Sequence, residues 1–230
     1  MARMPRIDVA GLAQHLIQRG NNRQVCFGCE EDMAAYAHWL HEYSQKFKVA
    51  IHAWVFMTNH VHLLVTPGIK SGVSTMMQSL GRRYVQYYNY SYKRSGTLWE
   101  GRYKSCAVQD EVYLLQCYRY IEMNPVRANM VDHPAEYRWS SYRVNAEGVT
   151  SKLCTPHEQY LGLGANESKR QAAYRDLFLG HLDDEAITRI RKATNSGMAL
   201  GNERFKDEIE LLAKRRVRPK KAGRPKLEEL

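Results

Sequence analysis

Trp54-Val55-Phe56-Met57-Thr58-Asn59-His60-Val61-His62-Leu63-Leu64-Val65 decides the reading of this chain. Its β-branched and apolar residues predict strands over 49–56 and 60–66, joined through Met57-Thr58-Asn59 as a hairpin. Side chains alternate faces along a strand, so residues at i and i+2 point the same way. His60 and His62 therefore project from one face of a sheet, at the separation that two ligands of a single metal ion require.

Working outward, residues 13–18 read as a first strand, followed by the turn-rich basic loop Arg19-Gly20-Asn21-Asn22-Arg23. Met33, Tyr36, Ala37, Leu40, Ser44 and Phe47 recur at helical spacing and predict a helix over 31–47. Pro67-Gly68 ends the second strand of the hairpin. A helix over 71–92 carries Met76, Met77, Leu80, Tyr84 and Tyr87, and Ser95-Gly96 breaks it. Residues 103–109 read as another strand. Asp110 then suits the N-cap of a helix running to Met123, with Pro125 disfavouring helical geometry beyond. This order implies an α+β domain, an antiparallel sheet with helices on one face. After Tyr142 the pattern changes, and residues 155–212 are helical throughout, with Leu161, Tyr174, Leu177, Ile187, Ile190 and Ile209 at helical intervals. The expected organisation is a catalytic domain over 1–145, a helical domain over 146–212 and a basic tail over 213–230.

The chain has 230 residues, 44% of them hydrophobic, which fits a globular protein. A net charge of +10 points to a polyanionic partner, nucleic acid first and an anionic membrane surface second. No apolar run approaches the ~20 residues needed to span a bilayer. Met1-Ala2-Arg3-Met4-Pro5-Arg6 has charge but no hydrophobic segment after it, so no signal peptide and a cytoplasmic location are expected. Five cysteines, an odd number without an export signal, imply free thiols. Cys26-Phe27-Gly28-Cys29 lacks the second pair that a zinc site needs. In the tail, residues 214–226 hold eight basic residues and no acid, Arg215, Arg216 and Arg224 among them. That composition reads as a mobile arm for phosphate contact, and Gly223-Arg224-Pro225-Lys226 resembles the core of an AT-hook.

Chemistry enters with the helix over 111–123. Residues four apart share a helical face, so Tyr113, Cys117, Tyr120 and Asn124 form one stripe, and Leu114, Tyr118 and Ile121 another that is read as the core face. Tyr120 then lies off the core, with Asn124 one turn further on. An amide oxygen and two neutral imidazoles can hold a divalent cation and leave positions open for phosphodiester oxygens while a phenol attacks. Spacing does not single out Tyr120. Tyr113 has Cys117 at i+4, Tyr118 has Glu122, and Tyr84, Tyr87, Tyr88, Tyr90 and Tyr92 crowd the preceding helix. His15 and His52, on neighbouring strands, read as core or sheet-surface residues. Arg19, Arg23, Arg82, Arg83, Arg102 and Lys104 are candidates for phosphate contacts, and Trp99 and Tyr103 for stacking on unpaired bases.

Thr58-Asn59-His60-Val61-His62-Leu63-Leu64-Val65 resembles the histidine–hydrophobic–histidine motif of single-tyrosine HUH transposases, and Tyr120-Ile121-Glu122-Met123-Asn124-Pro125-Val126-Arg127-Ala128 resembles their tyrosine segment. Gln18–Arg23, Gly96–Ser105 and Tyr137–Tyr142 match as well, so the resemblance spans residues 7–145. Within that family the chain is similar to the REP-associated tyrosine transposases. The resemblance implies a ferredoxin-like HUH fold and Mg²⁺- or Mn²⁺-dependent cleavage of single-stranded DNA at hairpins of repetitive palindromes. It implies Tyr120 as the nucleophile, forming a 5′-phosphotyrosine, with His60, His62 and Asn124 as metal ligands. A hydrolytic metallonuclease and a non-cleaving hairpin-binding regulator are the alternatives, and monomer and homodimer both stay open. Residues 190–205 resemble an extension of this branch, read either as a helix-turn-helix or as a cover over the site.

Overall fold

A computed structural model describes residues 5–180 and 183–219. Its centre is a four-stranded sheet in the order β2-β3-β1-β4, formed by β1 (Gln14–Arg19), β2 (Val49–Met57), β3 (His60–Pro67) and β4 (Lys104–Ala107). All three pairings are antiparallel, as expected from sequence. The β2–β3 turn is short because Met57 pairs directly with His60. In β1, Ile17 stands opposite His62 and Arg19 opposite His60.

Helices cover both faces of this sheet, not the one face expected. β2 and β3 are buried along nearly their whole length rather than alternating, the mark of a sheet covered on both sides. On one face, α1 (Glu30–Lys46) and α2 (Gly72–Ser91) bury Tyr36, Leu40, Met76, Leu80 and Tyr84 against Leu16, Phe56 and Leu63. On the other, α3 (Asp110–Glu122) brings Leu114, Cys117, Tyr118, Tyr120 and Ile121 against Ala53, Val55 and Leu64. α3 is thus buried nearly all round, and the division into a core stripe and a free stripe fails. Asp110 is the first helical residue and Gln109 holds the cap position. Beyond it, Asn124–Arg127 forms the short helix α4, with Pro125 in its first turn, where a missing N–H costs nothing.

Among the described residues, α5 (Tyr142–Glu147), α6 (Glu158–Leu161), α7 (Glu167–Asp176), α8 (Asp184–Ser196) and α9 (Glu203–Ala213) follow. The first four share the core of the second face, through Tyr142, Tyr160, Tyr174, Ile187 and Ile190, while α9 buries Ile209 in a separate cluster with Ile7, Ala107 and Ala199. Both sheet edges are covered, which blunts edge-to-edge pairing. Phe56 N–H donates to Trp139 O at 2.9 Å and Ser141 N–H to Trp54 O at 2.9 Å along β2. Beside β4, Leu200 N–H donates to Ala107 O at 2.8 Å and Gln109 N–H to Leu200 O at 2.9 Å. The start of the basic tail is not a loose arm: Val217 is fully buried beside Ile7, Ala199 and Ile209, and Ala199 N–H donates to its carbonyl at 2.8 Å. Arg224 and the AT-hook-like stretch lie outside the described residues. All five cysteines are free thiols, and no helix among the described residues is long and apolar enough to cross a membrane.

Candidate active site

β1, β3, α3, α4 and α8 enclose a cavity of about 360 Å³ lined by His15, His60, His62, Tyr120, Asn124 and Arg127. Strand alternation puts both motif histidines on this face, with ring centroids 5.1 Å apart. The Tyr120 ring meets the His15 and His62 rings edge-on, at 5.5 and 5.6 Å. His60, His62, Tyr120 and Asn124, the set that the family resemblance implies, all line this one cavity.

Hydrogen bonds assign each imidazole its tautomer. His60 Nδ1 lies 2.6 Å from Asn59 Oδ1, whose own amide nitrogen donates to Arg23 O at 3.1 Å. An amide oxygen only accepts, so His60 carries its proton on Nδ1 and leaves Nε2 as a lone pair. The second chain is longer. Thr194 Oγ1 donates its one proton to Ile190 O at 2.8 Å, so it accepts from His15 Nδ1, also at 2.8 Å. His15 Nε2 must then accept, and His62 Nδ1 donates to it at 2.8 Å. His62 Nε2 is left as a lone pair too. Asn124 spends its amide hydrogens on Tyr120 O and Ile121 O, at 3.0 and 3.2 Å. That leaves its oxygen as an acceptor, and its side chain is within hydrogen-bonding reach of His60.

Burial keeps these rings neutral, because a charged imidazole loses its hydration there. It pushes His15 down to about 3, helped by the Arg127 charge, and His60 down to about 4, helped by Arg19. His62 is held well below the usual histidine range by burial and then by His15 and His60. Two unprotonated imidazoles and an amide oxygen fit a divalent cation in donor type. The set is sparse: among the described residues, no group of three or more His, Cys, Asp and Glu side chains is arranged to hold a metal.

Arg127 is a site residue that the sequence reading placed in a motif without a role. Its guanidinium lies 4.5 Å from the Tyr120 ring centroid and donates from Nη2 to Tyr120 O at 2.5 Å. Nε and Nη1 have no partner among the described residues. Burial lowers its pKa to about 10, which leaves it charged at neutral pH. α8 adds Arg191, Thr194 and Asn195 to the wall. His15, read as a core residue, is both buried and part of the site. Thr194 carried no signal in the sequence, because its contact with His15 crosses 179 positions.

Next to this cavity, and sharing Ile17, Arg19 and Asn195 with it, lies a basic cleft of about 500 Å³ that also holds Arg23, Arg102 and Lys104. Arg23 adopts a left-handed backbone at φ 58°, and the loop is held to the hairpin turn by Gly20 N–H donating to Asn59 O at 2.9 Å. Arg215 lines an adjoining recess and donates to Gly197 O. Arg216 is half-buried. Arg83 lies apart on α2, paired with Glu42 at 3.2 Å and stacked over Trp39. Arg82 sits on the opposite face of the sheet from the cavity. Trp99 is 6% exposed, its ring packed against Tyr36 and Tyr84, so it offers no open stacking platform. Tyr103 is equally buried, with Arg6 laid over its ring at 3.8 Å.

Residues 8–124, half of the chain, match the family described as Transposase IS200 like, and the chain belongs to that family. Among solved structures, it is similar to a REP-associated tyrosine transposase bound to a REP hairpin. That match has 18% identity and a TM-score of 0.52, covering 68% of this chain and 93% of that one. A putative transposase from Deinococcus radiodurans R1 matches at 24% identity and a TM-score of 0.37, over 53% of this chain and 96% of that one. No curated protein sequence matches the chain.

Proposed function

We propose that this transposase cleaves and rejoins single-stranded DNA at palindromic, REP-type hairpins, with Tyr120 as the nucleophile. The observation that carries the reading is the placement of the Tyr120 ring against His15 and His62, under the Arg127 guanidinium, in one cavity continuous with a basic cleft. The hairpin comes from the solved structure with the same fold, which is bound to one.

In this reading the phosphodiester backbone lies along Arg19, Arg23, Arg102 and Lys104. Arg127 turns its unpartnered Nε and Nη1 toward the scissile phosphate and offsets charge gathering on its oxygens. The Tyr120 oxygen bonds to phosphorus and gives up its proton. The bond from phosphorus to the 3′ oxygen breaks, and that oxygen takes up a proton and leaves as a 3′-hydroxyl. The phosphotyrosine keeps the energy of the broken bond, so a 3′-hydroxyl can reverse the step and rejoin strands. His60, His62 and Asn124 would hold Mg²⁺ or Mn²⁺, which supplies Lewis-acid neutralisation of phosphate charge.

The test is cleavage of a hairpin oligonucleotide with Mn²⁺, labelled in turn at either end. Expected is a free fragment ending in a 3′-hydroxyl, and a protein-linked fragment carrying the 5′ phosphate. Two protein-free fragments would mean that water attacks and that the chain is a hydrolytic nuclease.

A further inference from the structure

The face of the sheet opposite the catalytic cavity holds a second pocket, of about 440 Å³. Gln18 sits between Ile17 and Arg19 on β1, so it points away from the histidines and into this pocket. Met77, Gly81, Trp99 and Tyr103 complete the walls, and Arg82 and Arg102 stand at the rim. No acidic residue among those described lines it.

Two of its polar atoms have no partner. Trp99 Nε1 and Gln18 Oε1 are buried and make no hydrogen bond among the described residues, though their side chains are only 6% and 7% exposed. Buried polar groups are normally paired, and these two unpaired atoms belong to side chains that line one pocket. Both side chains converge on Gly81 of α2: a Cβ there would stand 3.9 Å from Gln18 Nε2 and 3.9 Å from Trp99 Nε1. The absent side chain keeps the floor of the pocket open. A donor, an acceptor, an apolar thioether and a ring wall, under a cationic rim, match a flat heterocycle on an anionic backbone.

Gly101 and Arg102 line both this pocket and the basic cleft. That cleft shares Ile17, Arg19 and Asn195 with the catalytic cavity. A single strand leaving the cavity thus has a continuous path, basic apart from Glu100, past Gly101 and Arg102 to Gln18 and Trp99.

We propose that this pocket takes one unpaired nucleobase of the bound strand, read by the Trp99 indole N–H and the Gln18 amide. The assignment rests on the single-stranded DNA reading above. It also gives Trp99 a role in base recognition through its edge, since its faces are inside the core.

The test uses Tyr120→Phe protein, so that binding is read without cleavage, and a single-stranded DNA pool with a long randomised stretch. Selection on this parent should enrich one base at one position. Replacing that nucleotide by an abasic site should weaken binding by about ten-fold or more, the usual worth of a base edge read by a pair of hydrogen bonds. Adding Gly81→Met fills the floor. It should erase the preference at that position alone and reduce the abasic effect to less than two-fold. Gly81→Ala, which places a methyl group in ordinary contact with both polar side chains and favours the helix, should weaken the same preference while folding normally. Identical enrichment by the parent and Gly81→Met would overturn the pocket assignment. Saturation by free deoxynucleoside monophosphates, with no abasic-sensitive position, would assign the pocket to free nucleotide and overturn it as well. Failure of the parent to bind any single strand would instead sink the DNA-cleavage reading, and the pocket with it.

Discussion

Thr194→Val removes one hydroxyl that touches neither Tyr120 nor the two motif histidines. Its predicted effect is on metal affinity. The hydroxyl accepts from His15 Nδ1 at 2.8 Å, which leaves His15 Nε2 to accept from His62 at 2.8 Å. Valine keeps the volume but accepts nothing. An N–H left unpaired in that buried spot costs about 1–3 kcal/mol. His15 escapes the cost by moving its proton to Nε2, which then donates to His62 Nδ1. That drives the His62 proton onto its own Nε2, the nitrogen facing the candidate metal site. Losing an outer partner of a ligand histidine typically lowers metal affinity by about 10–100-fold, or about 1.4–2.7 kcal/mol, the same range as the pairing penalty. Titration calorimetry with Mn²⁺ on wild type, Thr194→Val and Thr194→Ser is the assay. Valine should lose affinity by that factor, and serine, which restores the hydroxyl, should recover most of it. Wild-type affinity in Thr194→Val would refute the relay.

Other consequences follow from the same geometry. Burial holds His15, His52, His60 and His62 below 6.5, at about 3, about 4, about 4 and well below. An unfolded chain protonates these rings near 6.5 while the folded chain does not, so the unfolded state gains protons as pH falls from 6.5 toward 4, and stability is lost in that window. Glu122 acts in the opposite sense: burial raises it to about 7, so the folded state binds its proton between 7 and 4.5. The histidines outnumber it, and in chelator the urea midpoint should drop steeply between pH 6.5 and 4, by up to ~1.4 kcal/mol per pH unit per net proton. A flat profile would contradict the neutral-histidine assignment. Glu122 itself accepts from Ser141 Oγ, Tyr174 Oη and Asn145 Nδ2 at 2.5, 2.6 and 2.8 Å. Glu122→Gln turns an NH₂ against one of these donors and should cost about 1–3 kcal/mol in urea unfolding. Arg127→Met should slow cleavage by about 10²–10³-fold without lowering the melting temperature, because it removes a buried cation with unpaired donors.

Much of the fold was legible in the sequence. Four strands and three helices fall within about two residues of their expected bounds, because the hairpin around His60 and the heptad-like spacing in α1 and α2 are strongly periodic. The run from Trp54 to Val65 also held the information that both faces are covered, since apolar residues occupy consecutive positions and not alternate ones. Pro125 misled in the other direction: a residue that ends one helix can begin the next. What could not be read were contacts made across the chain. His15 gains its role from Thr194 and His62, Arg127 from the way α4 folds back over Tyr120, and Val217 is pinned by a pocket built from Ile7, Ala199 and Ile209. None of these leaves a local pattern.

In the proposed reaction Tyr120 becomes covalently joined to DNA. Wild-type protein incubated with a hairpin substrate and Mn²⁺, then digested and mapped by mass spectrometry, tests it most directly. One modified peptide is expected, containing Tyr120 and heavier by the 5′-phosphorylated fragment, and none in Tyr120→Phe. A modified peptide containing Tyr113 or Tyr118 instead, or adduct persisting in Tyr120→Phe, would contradict it.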